Sequence, residues 1–412
     1  MDYTIVGCGI SGLNIGIKLL EKYSTKNVII YEKSSYIGGR IYTNKPKING
    51  KTIKYEAGAA RFNKNHVNVI SLLKKYNLDS KIIEIPTKTK VVFTKKITSS
   101  YVDNVDELLE KLFKHTFTKH YLQSKVLYDV IIDIYDKQTA DFLKHSYPYY
   151  SEICITNAYD ALRLLKVDLN NNQKFYILNG GLSQLIQKMK QAFVSLGGKI
   201  KLNHMLSNLE IINESFHCYF KCDSNTITKT SNNVILACDG LNIQKMRFLK
   251  HFKIDSLTQS VKVEPLLRIY AIYNKIWFKD LPKIVSNEKI KYIIPINEKT
   301  GLIMISYTDG KNARYWHKMT EKEQKHELTN QLNKIFPDKK ISHPKHIFNH
   351  YWETGASYWK PTYNSDKLKI KMLKPTKHKL FICGDSFSSR QAWIEGSLES
   401  SSKLFDTYFR KL

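Results

Sequence analysis

Asp2-Tyr-Thr-Ile-Val-Gly7-Cys-Gly9-Ile-Ser-Gly12 opens the chain and decides how the rest of it is read. A short β-branched run meets glycines in G-x-G-x-x-G spacing, and the sequence after Gly12 continues as a helix. Gly7 allows the sharp turn out of the strand. Gly9 lets the backbone approach a pyrophosphate without a Cβ in the way, and Gly12 lets the helix pack close to the sheet. The helix N-terminus then offers the phosphates free N–H groups and a favourable dipole. Asn27-Val-Ile-Ile-Tyr-Glu32 reads as the next strand. It ends in an acid about twenty residues after the glycines, where a carboxylate accepts hydrogen bonds from an adenosine ribose. Strand, helix and acid around one glycine loop predict a Rossmann-like dinucleotide-binding unit and leave NAD and FAD both open.

The 412 residues, 42% of them hydrophobic, are enough for two domains that each bury a core. The predicted first strand starts at Tyr3, which leaves no space for a secretory leader, and no apolar run is as long as a membrane span. A cytoplasmic protein is expected. The six cysteines are scattered, and Cys8 lies inside the glycine loop, so neither a disulfide framework nor a metal site is predicted. Cys218 and Cys222 form a C-x3-C pair without a second pair. The formal net charge of +28 suggests non-specific attraction to polyanions. Lysine outnumbers arginine several-fold and is spread along the chain without a nucleic-acid-binding motif, a pattern that fits the codon bias of an AT-rich genome. No specific nucleic-acid partner is predicted.

Further along, Val67, Ile70 and Leu73 have helical spacing, and residues from about Val105 to Leu165 read as a largely helical insertion with an aromatic stripe. Asn179-Gly-Gly-Leu-Ser-Gln-Leu185 opens another helix. Leu209-Glu-Ile-Ile and Cys218-Tyr-Phe-Lys read as a hairpin, and Asn233-Val-Ile-Leu-Ala237 as a buried strand. Strand signals then dominate the stretch from about 262 to 374, at Leu266 to Tyr273, Tyr292 to Ile296 and Leu302 to Tyr307. A last strand, Leu380-Phe-Ile-Cys383, precedes Gly384-Asp385 and a helix starting near Trp393-Ile-Glu-Gly396. The expected architecture is α/β plus α+β. A Rossmann-like FAD-binding domain of GR2 type would comprise 1–62, 176–261 and 375–412, and a discontinuous mixed-sheet and helical substrate domain would comprise 63–175 and 262–374.

The choice of FAD rests on a resemblance. Val6 to Gly12, Glu32-Lys-Ser-Ser-Tyr-Ile-Gly38-Gly39-Arg40, Asn179 to Leu185 and Phe381-Ile-Cys-Gly384-Asp385 through Gly396 together resemble the flavin-containing amine oxidoreductase family, in family order and over nearly the whole chain. The resemblance implies non-covalent FAD, since the usual attachment cysteine is missing from the 350–362 segment. It implies cofactor contacts from Gly7, Gly9, Ser11, Gly12, Glu32, Lys33, Gly38, Gly39, Arg40, Gly58, Ala59, Ala60, Arg61, Leu206, Gly384, Asp385, Trp393 and Ile394. Arg40 would supply a cation beside the phosphates, and a guanidinium suits that role because it forms fork-shaped, charge-assisted hydrogen bonds. Leu206 would lie near the adenine. The helix after Trp393 would aim its N-terminus at the flavin pyrimidine edge, stabilising negative charge on the reduced ring.

Substrate choice turns on Gly58-Ala-Ala-Arg61-Phe62, which resembles the segment whose arginine clamps the substrate carboxylate in L-amino-acid oxidases. Such a clamp would orient the α-carbon for hydride transfer. The alternative is that Arg61 pairs with an acidic neighbour or a flavin phosphate. By the same resemblance Tyr358, within Gly355-Ala-Ser-Tyr358-Trp359, and Trp393 would cage the substrate amine, and Trp352 would pack at the flavin edge. Arg268 stands where the family usually carries a lysine that assists reaction with oxygen. Arginine keeps the charge but has a different shape and a higher pKa, so another electron acceptor is an alternative to oxygen. The predicted activity is oxidation of an L-amino acid to a 2-oxo acid, ammonia and hydrogen peroxide. A polyamine or monoamine oxidase and an FAD-stabilised scaffold with a polyanion-binding surface are the alternatives, and a homo-oligomer is compatible with all three.

Overall fold

The computed structural model describes residues 2–24, 27–169, 173–374 and 376–410. The chain divides into two compact units: Met1–Glu84 with Tyr176–Val261 and Asn364–Leu412, and Ile85–Phe175 with Lys262–Tyr363.

The first unit is built on a five-stranded sheet in the order Lys199–Lys201, Asn27–Tyr31, Asp2–Val6, Asn233–Leu236, Leu380–Ile382. Every neighbouring pair is parallel. In chain order this is third, second, first, fourth, fifth, the order of a Rossmann-like sheet. The strands read as near-continuous apolar runs because both faces are covered: Ile5, Ile30 and Ile235 are wholly buried with Leu13 of the first helix and Phe193 of the helix Ser183–Ser195. The C-terminal helix Ile394–Leu404 is rich in serine for a packing reason. It lies close against the first helix, where Asn14 Nδ2 donates to Ser401 Oγ at 2.8 Å and Ser11 Oγ donates to the Ser397 carbonyl at 3.2 Å. The expected hairpin gains a third strand and becomes the antiparallel sheet Met205–Ile212, Ser215–Cys222, Asn225–Ser231.

Residues 63–84 and 364–374, expected in the other domain, fall in this unit. The reason is apolar: Val69 and Leu73 of the helix Val67–Lys75, and Leu78 after it, share the core that contains Ile5 and Leu13.

The second unit is a six-stranded mixed sheet ordered His346–Trp359, Val261–Ile272, Leu302–Asp309, Tyr292–Asn297, Lys283–Ser286, Thr89–Val92. Successive side chains of a strand face opposite ways, and each face has its own cover here. Val285 and Tyr292 pack with Leu108, Leu143, Ile153 and Leu165 of the helical run from Val105 to Val167. Ile284 and Ile293 pack with Trp316, Leu328 and Leu332 of the helices Gly310–His317 and Glu321–Ile335. The aromatic stripe read from the sequence is therefore largely core.

Among the described residues no helix is long and apolar enough to cross a membrane, and no group of His, Cys, Asp and Glu could hold a metal ion. Cys218 and Cys222 are free thiols on one strand.

Candidate functional site

The glycine loop of the first unit separates packing from access. Gly7 has φ of 108°, and a Cβ there would lie 2.6 Å from the Ala237 carbonyl oxygen. At Gly12 a Cβ would lie 2.0 Å from the Gly7 carbonyl oxygen, so the helix can sit this close only with glycine. At Gly9 a Cβ would meet nothing within 4 Å. Gly9 is also the N-cap of the helix Ile10–Lys22 and supplies no capping side chain. Open space against an uncapped helix N-terminus fits a pyrophosphate. Ser11 is buried in this first turn, with its hydroxyl committed to Ser397.

Gly38 and Gly39 have φ of 106° and 58°, and the Gly38 N–H donates to the Cys8 carbonyl at 2.8 Å. This brings Arg40 to the same loop, where its guanidinium pairs with Asp385. Burial works against the Arg40 charge, but the carboxylates of Asp385 and Asp239 outweigh it and raise its pKa. Ala59, beside the buried Gly58 and partly exposed Ala60, donates its N–H to the Arg40 carbonyl at 2.9 Å. Glu32 is 8% exposed and accepts the Cys8 N–H at 2.8 Å and the Ser34 N–H at 2.9 Å. Each carboxylate oxygen keeps capacity for another donor, such as a ribose hydroxyl. Lys33 donates to Asn242 Oδ1 at 3.0 Å on the surface. The His204 N–H donates to the Glu32 carbonyl at 2.8 Å, so the strand carrying buried Leu206 starts beside the acid. Gly384, with φ of 138°, donates its N–H to Ser400 Oγ at 2.9 Å, and Ile394 is buried.

Arg61 and Trp393 meet in this unit, the guanidinium carbon lying 5.8 Å from the ring centroid. The His66 ring approaches the same indole edge-on at 4.7 Å. Ala392, one residue before, has φ of 62°, a conformation that favours glycine and turns the chain as Trp393 enters the helix.

Arg268 and Tyr358 belong to the second unit. Arg268 stands opposite Tyr307 in the sheet register, with its guanidinium 4.5 Å from that ring, and is 9% exposed. Burial works against its charge, while the neighbouring phenols of Tyr307, Tyr270 and Tyr149 favour it, and the net shift is upward. Burial, and after it the same cation, bring the pKa of His350 down to about 4. Tyr358 is 4% exposed, and burial first, then the nearby Asp309 and Glu152 carboxylates, push its phenol well above the ordinary range. Trp352 is partly exposed on the same strand.

Sequence reasoning passed over several groups. Glu395 reads in the sequence as no more than one residue of the segment from Trp393 to Gly396, yet it is wholly buried and holds the first turn of the helix Val67–Lys75. A charge inside an otherwise apolar and small-residue helix start was the available signal. Lys291 donates to the carbonyls of Lys144 and His145, both at 2.9 Å, at 5% exposure. Burial brings its pKa down to about 7 even though Asp309 pulls the other way. Asp309 itself is raised by burial and accepts the Ser151 N–H at 2.8 Å. Nothing in the sequence marked Lys291 out from the many surface lysines.

Comparison with known proteins bears on the family and the fold. The model of a family described as flavin-containing amine oxidoreductase matches residues 10–128 and 152–403. Achacin from Lissachatina fulica is 23% identical, covering 99% of this chain and 93% of its own length. Aplysianin-A from Aplysia kurodai is 19% identical over 100% of this chain and 90% of its own. Among solved structures, a putrescine oxidase variant redesigned in its cofactor binding superposes with a TM-score of 0.75 at 16% identity, covering 100% of this chain and 99% of that one.

Proposed function

The chain belongs to the flavin-containing amine oxidoreductase family, with FAD as its cofactor, and from that premise we propose that it oxidises an L-amino acid. The observation that carries the reading is the Arg61 guanidinium lying over Trp393 in the cofactor-binding unit. A guanidinium offers a carboxylate two parallel N–H donors, and an indole face beside it suits a substrate with a positive or polar amine. Arg61 would hold the substrate carboxylate, and Trp393 would wall the amine. FAD, when bound, accepts the hydride that leaves the α-carbon. The imino acid released takes up water and yields a 2-oxo acid and ammonia.

The residues proposed to hold FAD without a covalent link are Gly7, Gly9 and Gly12 with the helix N-terminus at its pyrophosphate, Glu32 at its ribose, and Arg40 with Asp385 farther along. Arg268 would keep a permanent cation in the substrate unit, beside the phenols of Tyr307, Tyr270 and Tyr149. It cannot give up a proton as a lysine does. Oxygen is the expected final acceptor, giving hydrogen peroxide, and a slow oxygen step is expected from this substitution.

Anaerobic mixing with panels of L-amino acids, simple amines and polyamines tests the reading. Bleaching of the yellow flavin by amino acids alone is expected, and bleaching by amines or polyamines alone would replace it with an amine oxidase. Arg61→Ala should raise the amino-acid requirement by about a hundredfold, the loss of roughly 3 kcal/mol of charged hydrogen bonding, with FAD still bound.

A further inference from the structure

The helix Val67–Lys75 starts without a cap of its own, since the side chain of His66 at its N-cap does not accept from the first amides of the helix. Its first amides are taken by a residue 327 positions away in the chain. Glu395 Oε1 accepts the Asn68 N–H at 3.0 Å and the Asn68 side-chain amide at 2.7 Å, and Oε2 accepts the Val69 N–H at 3.1 Å. The carboxylate is 0% exposed. Burying a charge this fully is unfavourable unless donors replace the lost water, and here three N–H groups do so. Arg390 adds a cation 3.8 Å from Glu395 and 3.5 Å from Glu399, while donating to the Asn65 carbonyl at 2.8 Å.

These contacts bracket one short segment. Asn63 Oδ1 accepts the Asn65 N–H, and the Asn63 carbonyl accepts the His66 N–H, which makes 63–66 a closed turn. At one end of the segment Arg61 lies over Trp393, and at the other Glu395, two residues beyond Trp393, grips Asn68 and Val69. The C-terminal helix therefore holds both ends of the loop through its first turn. We propose that Glu395 is a positioning residue that fixes the loop from Arg61 to His66 against Trp393 and so sets the preference for substrates bearing a carboxylate. The proposal rests on the carboxylate clamp assigned to Arg61 above.

The test uses the FAD-loaded protein and its Glu395→Gln and Arg61→Ala variants. A simple 2-oxo acid is titrated against the flavin difference spectrum, alongside an amine of the same side chain lacking the carboxylate, and hydrogen exchange is followed at residues 66–70. Glu395→Gln should weaken 2-oxo acid binding about tenfold, the scale of one charged hydrogen bond. It should leave amine binding and flavin content unchanged and speed exchange at Asn68 and Val69. Equal weakening of both ligands, unchanged exchange, or faster exchange with unchanged 2-oxo acid affinity would each overturn the positioning role while Arg61→Ala still weakened binding. Unchanged affinity in Arg61→Ala would sink the clamp, and with it this proposal, by a separate signature. Should Glu395→Gln not fold, Asn68→Ala removes only the 2.7 Å contact and should produce a smaller loss of the same kind.

Discussion

In the nucleotide-binding unit, charged side chains stand at the ends of elements and are held by groups far away in the chain: Arg40 by Asp385, and Glu395 by Asn68, Val69 and Arg390. In the other unit Arg268, Lys291 and Asp309 lie on or next to a single sheet and are enclosed by phenols, carbonyls and amides of that unit. The first unit also has a helix N-terminus with open space at Gly9, as a site for an anionic ligand requires. The second encloses its titratable groups inside a layered structure, where burial works against their charge. Charge in the first unit is spread over chain segments far apart in sequence, whereas charge in the second is enclosed within one sheet and the helices packed on it.

The sharpest way to break this contrast is to add one methyl group at two neighbouring glycines. Gly12→Ala should destabilise the protein by about 3 kcal/mol or more, since a Cβ would press on a backbone carbonyl that cannot move aside. Gly9→Ala should leave the melting temperature of the apoprotein unchanged and strip it of FAD. Thermal melts and the ratio of flavin to protein absorbance read both, and equal behaviour of the two variants would refute the division between packing and access.

A middle-sized effect is expected from Arg40→Gln. Removing the guanidinium takes away a charged hydrogen-bond donor from a partly exposed site, and FAD should bind between tenfold and a hundredfold more weakly, roughly 2 kcal/mol. Fluorescence titration of the apoprotein with FAD measures this, and unchanged affinity would confine Arg40 to its pairing with Asp385.

The smallest effect belongs to the enclosed charges. Lys291 has a folded pKa of about 7, against an ordinary value of 10.5, so between these pH values the unfolded chain binds more protons than the folded one. Stability from this group therefore rises with pH across that window. Relative to Lys291→Met, the wild type should gain about 1 kcal/mol between pH 7 and pH 8. Denaturant melts of both proteins at the two pH values give the difference directly, and parallel curves would mean that the amine stays charged when buried.

How far the sequence carried differs between the units for a physical reason. A parallel strand buried on both faces, a glycine forced by a close carbonyl and an acid at a strand end are local patterns, and all were legible from Tyr3 to Glu32. The helical run from Val105 was legible by its spacing. The third strand Asn225–Ser231 was not, because its alternating Thr, Lys and Asn residues lack an apolar face. Nor could spacing reveal that Glu395 caps a helix 327 residues earlier, or that Lys291 among so many lysines is enclosed. Those facts arise only when distant segments meet.

The order of the parallel sheet also bears on how the protein is made. Its central strand Asp2–Val6 has Asn233–Leu236 as one neighbour, and Leu380–Ile382 completes that edge. The helix that covers the glycine loop and grips Asn68 ends at Leu404. A nascent chain thus exposes Ile5, Leu13 and Val69 until the segment around Leu404 has been made, with no disulfide to shorten the search for their partners. Such non-local closure is slow and leaves apolar surface open to aggregation. FAD supplied during expression should therefore raise the soluble yield of the chain and not of a version cut before Leu380, which lacks the last strand and the helix beside the glycine loop.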